Sequence, residues 1–582
     1  MDILGISFGI DTSAALIRDG RTVAAALEER FSRIKHDRAW PSAAIDYCLR
    51  EAGTSLMDVD SIAFFWNPAI QLDFPQGGRA RTYRHHGDYL HMAPAWLLGA
   101  LRGPLGGIRS GHTTQTIHLE GREPLVIHYV THHRTHAAAA FFPSPFEEAA
   151  VLTVDGYGER AATTLGAFRR DGDAYSYESV EELVFPQSLG SVYAAVTTWL
   201  GFRANNGEGK VMGLAPYGDE RFVQRFREIL GIDSSGDGLP YSIDQSWFAY
   251  TLDTADRVGA RFLEEFGPPA QRDIPHNEAH KAVAFAMQSV TEEALLGLAR
   301  RLHARTGLDS LVMAGGVAMN SAANGRLERE GPFADLWVQP SAGDGGTAAG
   351  AALHVWHMLE GEGARHEWPN DRFGPSFSAE ECRDALRRGG WSWDEPDDIA
   401  ADTAAALADG ELVGWFQGRA EFGMRALGSR SILADPRSAE NKDVLNARVK
   451  FREPFRPFAP SVAVEAAGEF FDLPQRRTSD HCVPSMQKVH PVKADARERL
   501  AAVTHVDGSA RLQTVSTESD ALYHQLITEF GRITGVPVVL NTSFNVRGEP
   551  IVGTPDDAIR CWASTGLDRL VLGPCVLRKP LK

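Results

Sequence analysis

Residues 3 to 26 read Ile3-Leu4-Gly5-Ile6-Ser7-Phe8-Gly9-Ile10-Asp11-Thr12-Ser13-Ala14-Ala15-Leu16-Ile17-Arg18-Asp19-Gly20-Arg21-Thr22-Val23-Ala24-Ala25-Ala26. Ile3 to Gly9 and Ala14 to Ile17 are short apolar runs on either side of a polar turn that holds Asp11. Asp19-Gly20 then separates the second run from Thr22 to Ala26, and an Asp-Gly pair between apolar runs predicts a β-hairpin. The pattern returns at Ala149 to Val154, followed by Asp155-Gly156-Tyr157-Gly158-Glu159, then Thr163 to Phe168, closed by Asp171-Gly172. Each passage is a strand, an Asp-bearing turn and a second strand. The recurrence suggests a duplicated architecture, although the spacings differ.

Outward from these passages lie helical patterns, Ser42 to Ala52 and the long amphipathic stretch Lys281 to Arg305, and a strand at Ser310 to Ala314. Strands alternating with helices, with glycine at the strand ends, predict an α/β fold with a largely parallel sheet. Two further turns carry the same signature. One is Ala314-Gly315-Gly316-Val317-Ala318-Met319-Asn320. The other is Pro340-Ser341-Ala342-Gly343-Asp344-Gly345-Gly346-Thr347, which leads into an alanine-rich helix from Ala348. Glycines between a strand and a helix let backbone N–H groups approach a phosphate. One such turn is equally a plain connection; several in one domain favour a nucleotide-type ligand. From Leu359 to Ser378 the composition turns to Gly, Glu, Pro, Asn and Asp, as in a linker. Beyond it come new strands, Glu411 to Phe416 and Val538 to Leu540. Two domains are therefore expected, 1–365 and 366–582.

A chain of 582 residues is too long for a single core. A formal charge of −17 disfavours nucleic acid or an anionic membrane as a partner. The five cysteines, Cys48, Cys382, Cys482, Cys561 and Cys575, form no CxxC pair, which suits a reducing compartment and excludes a thiolate zinc finger. No basic segment precedes an apolar stretch at the start, so no signal peptide is expected. No apolar run approaches membrane-spanning length, and a cytoplasmic location is expected.

Against this acidic background the stretch from Val413 to Pro460 is basic. Nine cations (Arg419, Arg425, Arg430, Arg437, Lys442, Arg448, Lys450, Arg452, Arg456) fall among five acids (Glu421, Asp435, Glu440, Asp443, Glu453). Such an excess calls for an anion, and the guanidinium grips phosphate at two points. A nucleotide is expected here. For any one arginine the alternative is a solvated surface charge, and Arg437 and Arg448 are read that way.

His132-His133-Arg134-Thr135-His136 follows the apolar run Leu125 to Val130. On a helix His132 and His136 share one face and can reach one metal. With His at position 133, the glutamate of an HExxH metalloprotease is missing. Asp155 and Asp344, in the glycine turns, are the natural further ligands. A His₂Asp₂ set suits Fe(II), Mn(II) or Zn(II); a histidine cluster without metal is the alternative.

Taken together, the chain resembles the O-carbamoyltransferases of the NodU and tobramycin-carbamoyltransferase type. The resemblance rests on Gly5-Ile6 with Asp11 to Ala15, Glu28-Glu29-Arg30-Phe31-Ser32-Arg33-Ile34-Lys35-His36, His132-His133-x-x-His136-Ala137 and Asp155-Gly156. It continues with Glu208 to Gly218, Gly315 to Asn320, the basic block and Asn541-Thr542-Ser543-Phe544-Asn545. It implies an actin-like, TsaD-related N-terminal domain with Fe(II) on His132, His136, Asp155 and Asp344. It also implies a YrdC-like C-terminal domain with a twisted sheet, in which Lys450-Phe451-Arg452 and Ser543-Phe544-Asn545 stand for that domain's Lys-x-Arg and Ser-x-Asn. There ATP, Mg²⁺ and carbamoyl phosphate would meet Lys450, Arg452, Arg419, Arg425, Arg511, Ser543 and Asn545, giving carbamoyl adenylate. Gly315, Gly316, Asn320, Gly343, Gly345 and Lys210 would hold the adenylate in the N-terminal domain while a hydroxyl of a natural product attacks it. Because water would hydrolyse this anhydride, a buried path between the domains is expected.

The chain departs from the family in one place. A histidine commonly precedes the Asp of the first turn, and here Ile10 stands there. The base is then Asp11, or one of His85, His86 and His91, or is of little weight. Ile10 also tilts the acceptor toward an apolar polyketide or glycosylated compound. Threonylcarbamoyl transfer to tRNA is disfavoured by the acidic charge. Carbamoylation of a protein cysteine, as in hydrogenase maturation, is disfavoured by the absence of CxxC pairs. An ATP-binding switch of the actin or Hsp70 kind would have no reason to carry the second domain. The oligomeric state, including a homodimer, is left open by the sequence.

Overall fold

A computed structural model describes residues 1–67, 111–172, 174–233, 239–251, 257–271, 274–360, 363, 365–474 and 483–579. His85, His86, His91 and Cys482 lie outside the described residues. The chain divides into two compact units. One is Met1–Ala25 with Arg38–Glu367, the other Ala26–Asp37 with Trp368–Lys582.

The first unit contains two sheets. One is built from β1 (Asp2–Ser7), β2 (Ser13–Arg18), β3 (Arg21–Leu27), β4 (Ser61–Phe64), β5 (His112–Ile117) and β6 (Leu125–Val130), in the order β3-β2-β1-β4-β6-β5. The other is built from β7 (Ala149–Val154), β8 (Ala161–Asp171), β9 (Ala174–Val184), β10 (Ser310–Ala314) and β11 (Asp335–Val338), in the order β11-β10-β7-β8-β9. The first strand of each sheet, β1 or β7, pairs antiparallel with its successor on one side and parallel with a later strand on the other. This shared topology is the duplication. The sheets are mixed rather than largely parallel, because a chain returning through a short turn can only pair antiparallel. At Asp19-Gly20 both residues take positive φ, 49° and 78°, as a two-residue hairpin turn requires.

Two alanine-rich helices place the site. His132–Phe141 packs on β7 and β10, Thr347–Val355 packs on β1 and β2, and the two pack against each other. Their approach leaves no space for a side chain at the crossing. A Cβ on Gly350 would lie 2.0 Å from the Thr135 carbonyl oxygen. Ala137 to Ala140 and Ala348, Ala349, Ala351 and Ala352 are buried around it. The amphipathic stretch forms one helix, Glu278–Thr306, whose Asn277 cap accepts from the His280 N–H at 2.9 Å.

The second unit is built on a seven-stranded sheet. Its strands are β12 (Val413–Phe416), β13 (Arg430–Ala434), β14 (Ala459–Ala463), β17 (Gln513–Val515), β18 (Val538–Ser543), β19 (Arg569–Leu572) and β20 (Cys575–Arg578), ordered β17-β14-β18-β13-β12-β19-β20. A separate pair, β15 (Val489–Pro491) and β16 (Ser509–Arg511), is antiparallel. Side chains alternate between two cores with the period of two that strands impose. Trp415, Leu433, Val539, Val571 and Val576 face the helices Ile399–Ala408 and Thr517–Thr534. Phe416, Ile432, Leu540, Leu572 and Leu577 face the opposite core. Among the described residues no helix is long and apolar enough to cross a membrane.

Candidate functional site

In the first unit the chain leaves β6 directly into the His132–Phe141 helix, β7 into Asp155 and β11 into the turn that carries Asp344. Strand ends of a duplicated α/β fold are where ligands bind, and four side chains converge there. His132 Nε2 lies 2.9 Å from Asp155 Oδ2 and 3.1 Å from His136 Nε2. His136 Nε2 lies 3.5 Å from Asp155 Oδ2 and 3.6 Å from Asp344 Oδ1, and His132 Nε2 lies 3.7 Å from Asp344 Oδ1. Donors about 2.1 Å from one ion, at tetrahedral to octahedral angles, stand about 3.0 to 3.4 Å apart. The set therefore fits a borderline divalent ion. Two buried carboxylates facing two imidazoles also call for positive charge. Burial opposes protonation of His136, yet its hydrogen bonds to Asp155 and Asp344 lift its pKa to about 9.

The surrounding residues hold these ligands. His133 is turned away: its ring bridges Thr153 Oγ1 at 2.6 Å and the Ala161 carbonyl at 3.0 Å, and burial pulls its pKa to about 3, so it is neutral. Glu159 accepts from the backbone N–H of Asn67 at 2.6 Å and of His132 at 3.0 Å, capping the first turn of the ligand helix. Burial pushes the Glu159 carboxyl up to about 7. Ser7 and Ser13 donate to the carbonyls of Asp344 and Gly345 at 3.2 and 2.7 Å, fixing the fourth ligand's turn.

The glycine turns pack closely on the four converging side chains and the strand behind them. Gly316 donates its N–H to Asp155 Oδ1 at 2.9 Å, and a Cβ there would lie 2.8 Å from that oxygen. Gly315, at φ 98°, packs on the Val154 carbonyl, and Gly343 and Gly345 flank Asp344. Asn320 caps the Ser321–Glu330 helix through Ala323 N–H and exchanges amide hydrogen bonds with Gln288 at 2.9 and 3.0 Å. Lys210 stands over the Phe202 ring at 5.1 Å. Asp11 sits in left-handed backbone, φ 51°, beyond the end of β1. Such conformations concentrate at functional sites.

In the second unit Lys450 is buried among acceptors. Its Nζ donates to Asn545 Oδ1 at 2.8 Å, the Asn545 carbonyl at 3.0 Å, Ser543 Oγ at 3.3 Å and the Ser543 carbonyl. The wide turn Asn446–Lys450 ends in Phe451 at φ 46°, a costly conformation for a bulky side chain. Phe451 is exposed while both its neighbours turn inward. Burial, with Arg452 beside it, pulls the Lys450 ammonium well below the usual lysine range. Burial, with Arg456 next in weight, brings Arg452 to about 9 and Arg425 to about 10. Arg511 is lowered by burial and by Arg425, Arg452 and Arg456 together. Burial is the first cause in each case, Arg456 adds to it at Arg425, Arg452 and Arg511, and Glu453 partly offsets it at Arg452 and Arg456, so an anion among them would lessen the penalty.

Other arginines of the basic stretch hold local partners. Arg419 donates to the carbonyls of Phe373 at 2.8 Å and Gly374 at 3.2 Å. Arg437 and Arg448 pair with Asp435 and Asp568 at 2.6 and 3.0 Å. Arg456 is the member that sequence reasoning left out of the site, although its place four residues after Arg452 was a usable signal. Glu159 had no such signal beyond its place in the Asp155 turn.

Residues 2–353 match the family model described as carbamoyltransferase N-terminus, and residues 404–579 the one described as carbamoyltransferase C-terminus. An uncharacterized protein of Synechocystis is 40% identical over 99% of this chain and 96% of its own length. Nodulation protein NolNO of Sinorhizobium fredii is 38% identical over 98% of this chain and 79% of its own length. Nodulation protein U of Rhizobium tropici is 30% identical over 96% and 93% respectively. The chain belongs to the carbamoyltransferase family.

Proposed function

We propose that the protein is an ATP-dependent O-carbamoyltransferase that makes carbamoyl adenylate in its C-terminal unit and consumes it in its N-terminal unit. The observation that carries this reading is the gathering of cations, buried Lys450 held on Ser543 and Asn545 with Arg452 held on Asn446 and Pro457 beside it, and Arg425, Arg456 and Arg511 near them. A nucleoside triphosphate together with carbamoyl phosphate, and Mg²⁺ on their phosphates, supplies the charge this pocket lacks. Forming carbamoyl adenylate from the two releases phosphate and pyrophosphate, which requires one water to split the donor to carbamate. The carbamate oxygen then attacks the α-phosphorus and pyrophosphate leaves. Lys450 and the arginines stabilise charge on the transferring groups, which is the main catalytic term in such steps. Ser543 and Asn545 hold Lys450 in place.

In the N-terminal unit His132, His136, Asp155 and Asp344 would hold a divalent ion, Fe(II) by family likeness, supplying Lewis acidity toward the adenylate. Asp11 takes the proton of the acceptor hydroxyl as its oxygen attacks the carbamoyl carbon, and AMP departs with the electron pair of the broken anhydride bond. Glycine at 315, 343 and 345 keeps the backbone beside the ion free of side chains. The acceptor is a hydroxyl of a secondary metabolite (a polyketide or glycoside), and Ile10 makes its pocket apolar.

Incubation with ATP, carbamoyl phosphate and a panel of hydroxylated metabolites tests this. The expected result is AMP release that depends on carbamoyl phosphate, with an acceptor heavier by one carbamoyl group. AMP release indifferent to carbamoyl phosphate would reject it.

A further inference from the structure

The motif Glu28 to His36 lies within Ala26–Asp37, residues that belong to the second unit although they continue from β3 of the first. Arg30, buried, donates through Nη2 to the Gly423 carbonyl at 2.7 Å, two residues before Arg425. The backbone of the motif is as close: a Cβ on Gly553 would lie 2.3 Å from the Arg30 carbonyl oxygen. Arg33 spreads its fork over two successive carbonyls, Nη1 to Ile551 at 2.6 Å and Nη2 to Pro550 at 3.0 Å, with Nε 3.5 Å from Asp557.

Those carbonyls end the loop that begins at Asn545. Inside it Asn545 Nδ2 donates to the Glu549 carbonyl at 2.8 Å, and Val552 N–H returns to the Phe544 carbonyl at 2.9 Å. Asn545 Oδ1 in turn accepts from Lys450. A continuous path of hydrogen bonds and covalent chain thus runs from Arg33 to Lys450. The motif is also strained: Arg33 and His36 take φ 61° and 54°, and the His36 N–H closes the bend on Glu29 Oε2 at 2.9 Å. Left-handed backbone at two bulky residues persists only where the surroundings enforce it. A lysine at position 33 would replace the fixed fork by a single point charge on a flexible stem, which holds two neighbouring carbonyls less rigidly.

We propose that Arg30 and Arg33 are positioning residues of the anion pocket, holding the segments at Gly423 and Pro550-Ile551 from which Arg425 and Asn545 act. The inference rests on the adenylate-forming reading for its chemistry, but its geometry does not. The test uses full-length Arg33→Ala, Arg33→Lys, Asn545→Ala and the double variant Arg33→Ala/Asn545→Ala. Pyrophosphate release is measured against carbamoyl phosphate concentration, and inorganic pyrophosphate binding by calorimetry.

Arg33→Ala should raise KM for carbamoyl phosphate and weaken pyrophosphate by about 10- to 100-fold, the usual cost of a small displacement. Arg33→Lys should fall between it and the parent, and the double variant should be no worse than Asn545→Ala. Effects that multiply in the double variant, or a lowered Tm with unchanged KM and pyrophosphate affinity, would overturn the proposal. If Arg33→Ala does not fold, Arg33→Lys carries the same comparison. Should the parent release no pyrophosphate in response to carbamoyl phosphate, the adenylate reading fails first, and pyrophosphate affinity alone decides the role of Arg33.

Discussion

His132 Nε2 and His136 Nε2 face each other at 3.1 Å, with Asp155 and Asp344 closing the other sides. At that distance either one ring donates an N–H to the other or a cation takes the proton's place, and the two converging carboxylates favour the cation. Purified protein is therefore expected to carry one divalent ion per chain, measured by elemental analysis. His132→Ala and Asp155→Asn should each abolish it. Chelation should lower the Tm of the parent, because an ion held at a hundredfold excess over its Kd contributes about 2.7 kcal/mol. The variants should be indifferent to chelator. Full metal content in His132→Ala would remove the cluster from the account.

Lys450 gives the clearest separation of the two half-reactions. Lys450→Ala takes away the cation but leaves the metal cluster of the first unit intact. Adenylate formation should drop by about 10²- to 10³-fold, the usual cost of losing one preorganised group at a developing charge. Transfer from chemically prepared carbamoyl adenylate should persist. His132→Ala should show the reverse pattern. Equal loss of both activities in Lys450→Ala would mean the steps are not divided between the units.

The strands and the approach of His132 to His136 were open to sequence reading because their signals are local. Asp19-Gly20 specifies a hairpin by itself, and His132 and His136 sit one helical turn apart. The mixed pairing of the sheets also follows from hairpins, but strand–helix alternation read alone suggests parallel sheets. Asn320 shows an ambiguity of residue type: an amide after a glycine turn caps a helix as readily as it meets a nucleotide. Arg33 was beyond reach. Its acceptors lie 517 and 518 residues away, and no periodicity links them. Glu159 supports a helix 27 residues upstream by receiving its backbone N–H, a bond that leaves no trace in residue type.

Glycine positions distinguish close packing from mere flexibility. At Gly350 a Cβ would collide with the Thr135 carbonyl oxygen on the ligand helix, whereas at Gly209, inside the Glu208–Leu214 helix, it would meet nothing within 4 Å. Gly350→Ala should cost about 1 to 3 kcal/mol through forced separation of the two helices, and should weaken metal binding with it. Gly209→Ala should stabilise by up to about 1 kcal/mol through helix propensity. Thermal and denaturant unfolding of both variants would check the contrast, and equal effects would show that the helices have room to move.

Asp371 ties stability to pH in the second unit. Its Oδ2 accepts from the Gly423 N–H at 3.1 Å, and burial, followed by the Glu421 carboxylate, pushes its pKa from 3.8 to about 7. Between those values the unfolded chain has released a proton that the folded chain keeps, so stability falls as pH rises across this window. Above it both states are ionised and the penalty is complete. Asp371→Asn keeps the acceptor for Gly423 but carries no charge. The variant should match the parent near pH 4 and gain on it steadily toward pH 7. At 1.36 kcal/mol for each pH unit crossed, the gap is at most on the order of 4 kcal/mol. Denaturant unfolding at a series of pH values measures it. A gap that stays constant from pH 4 to 7 would show that Asp371 is ionised throughout, with its charge met by neighbours such as Arg372.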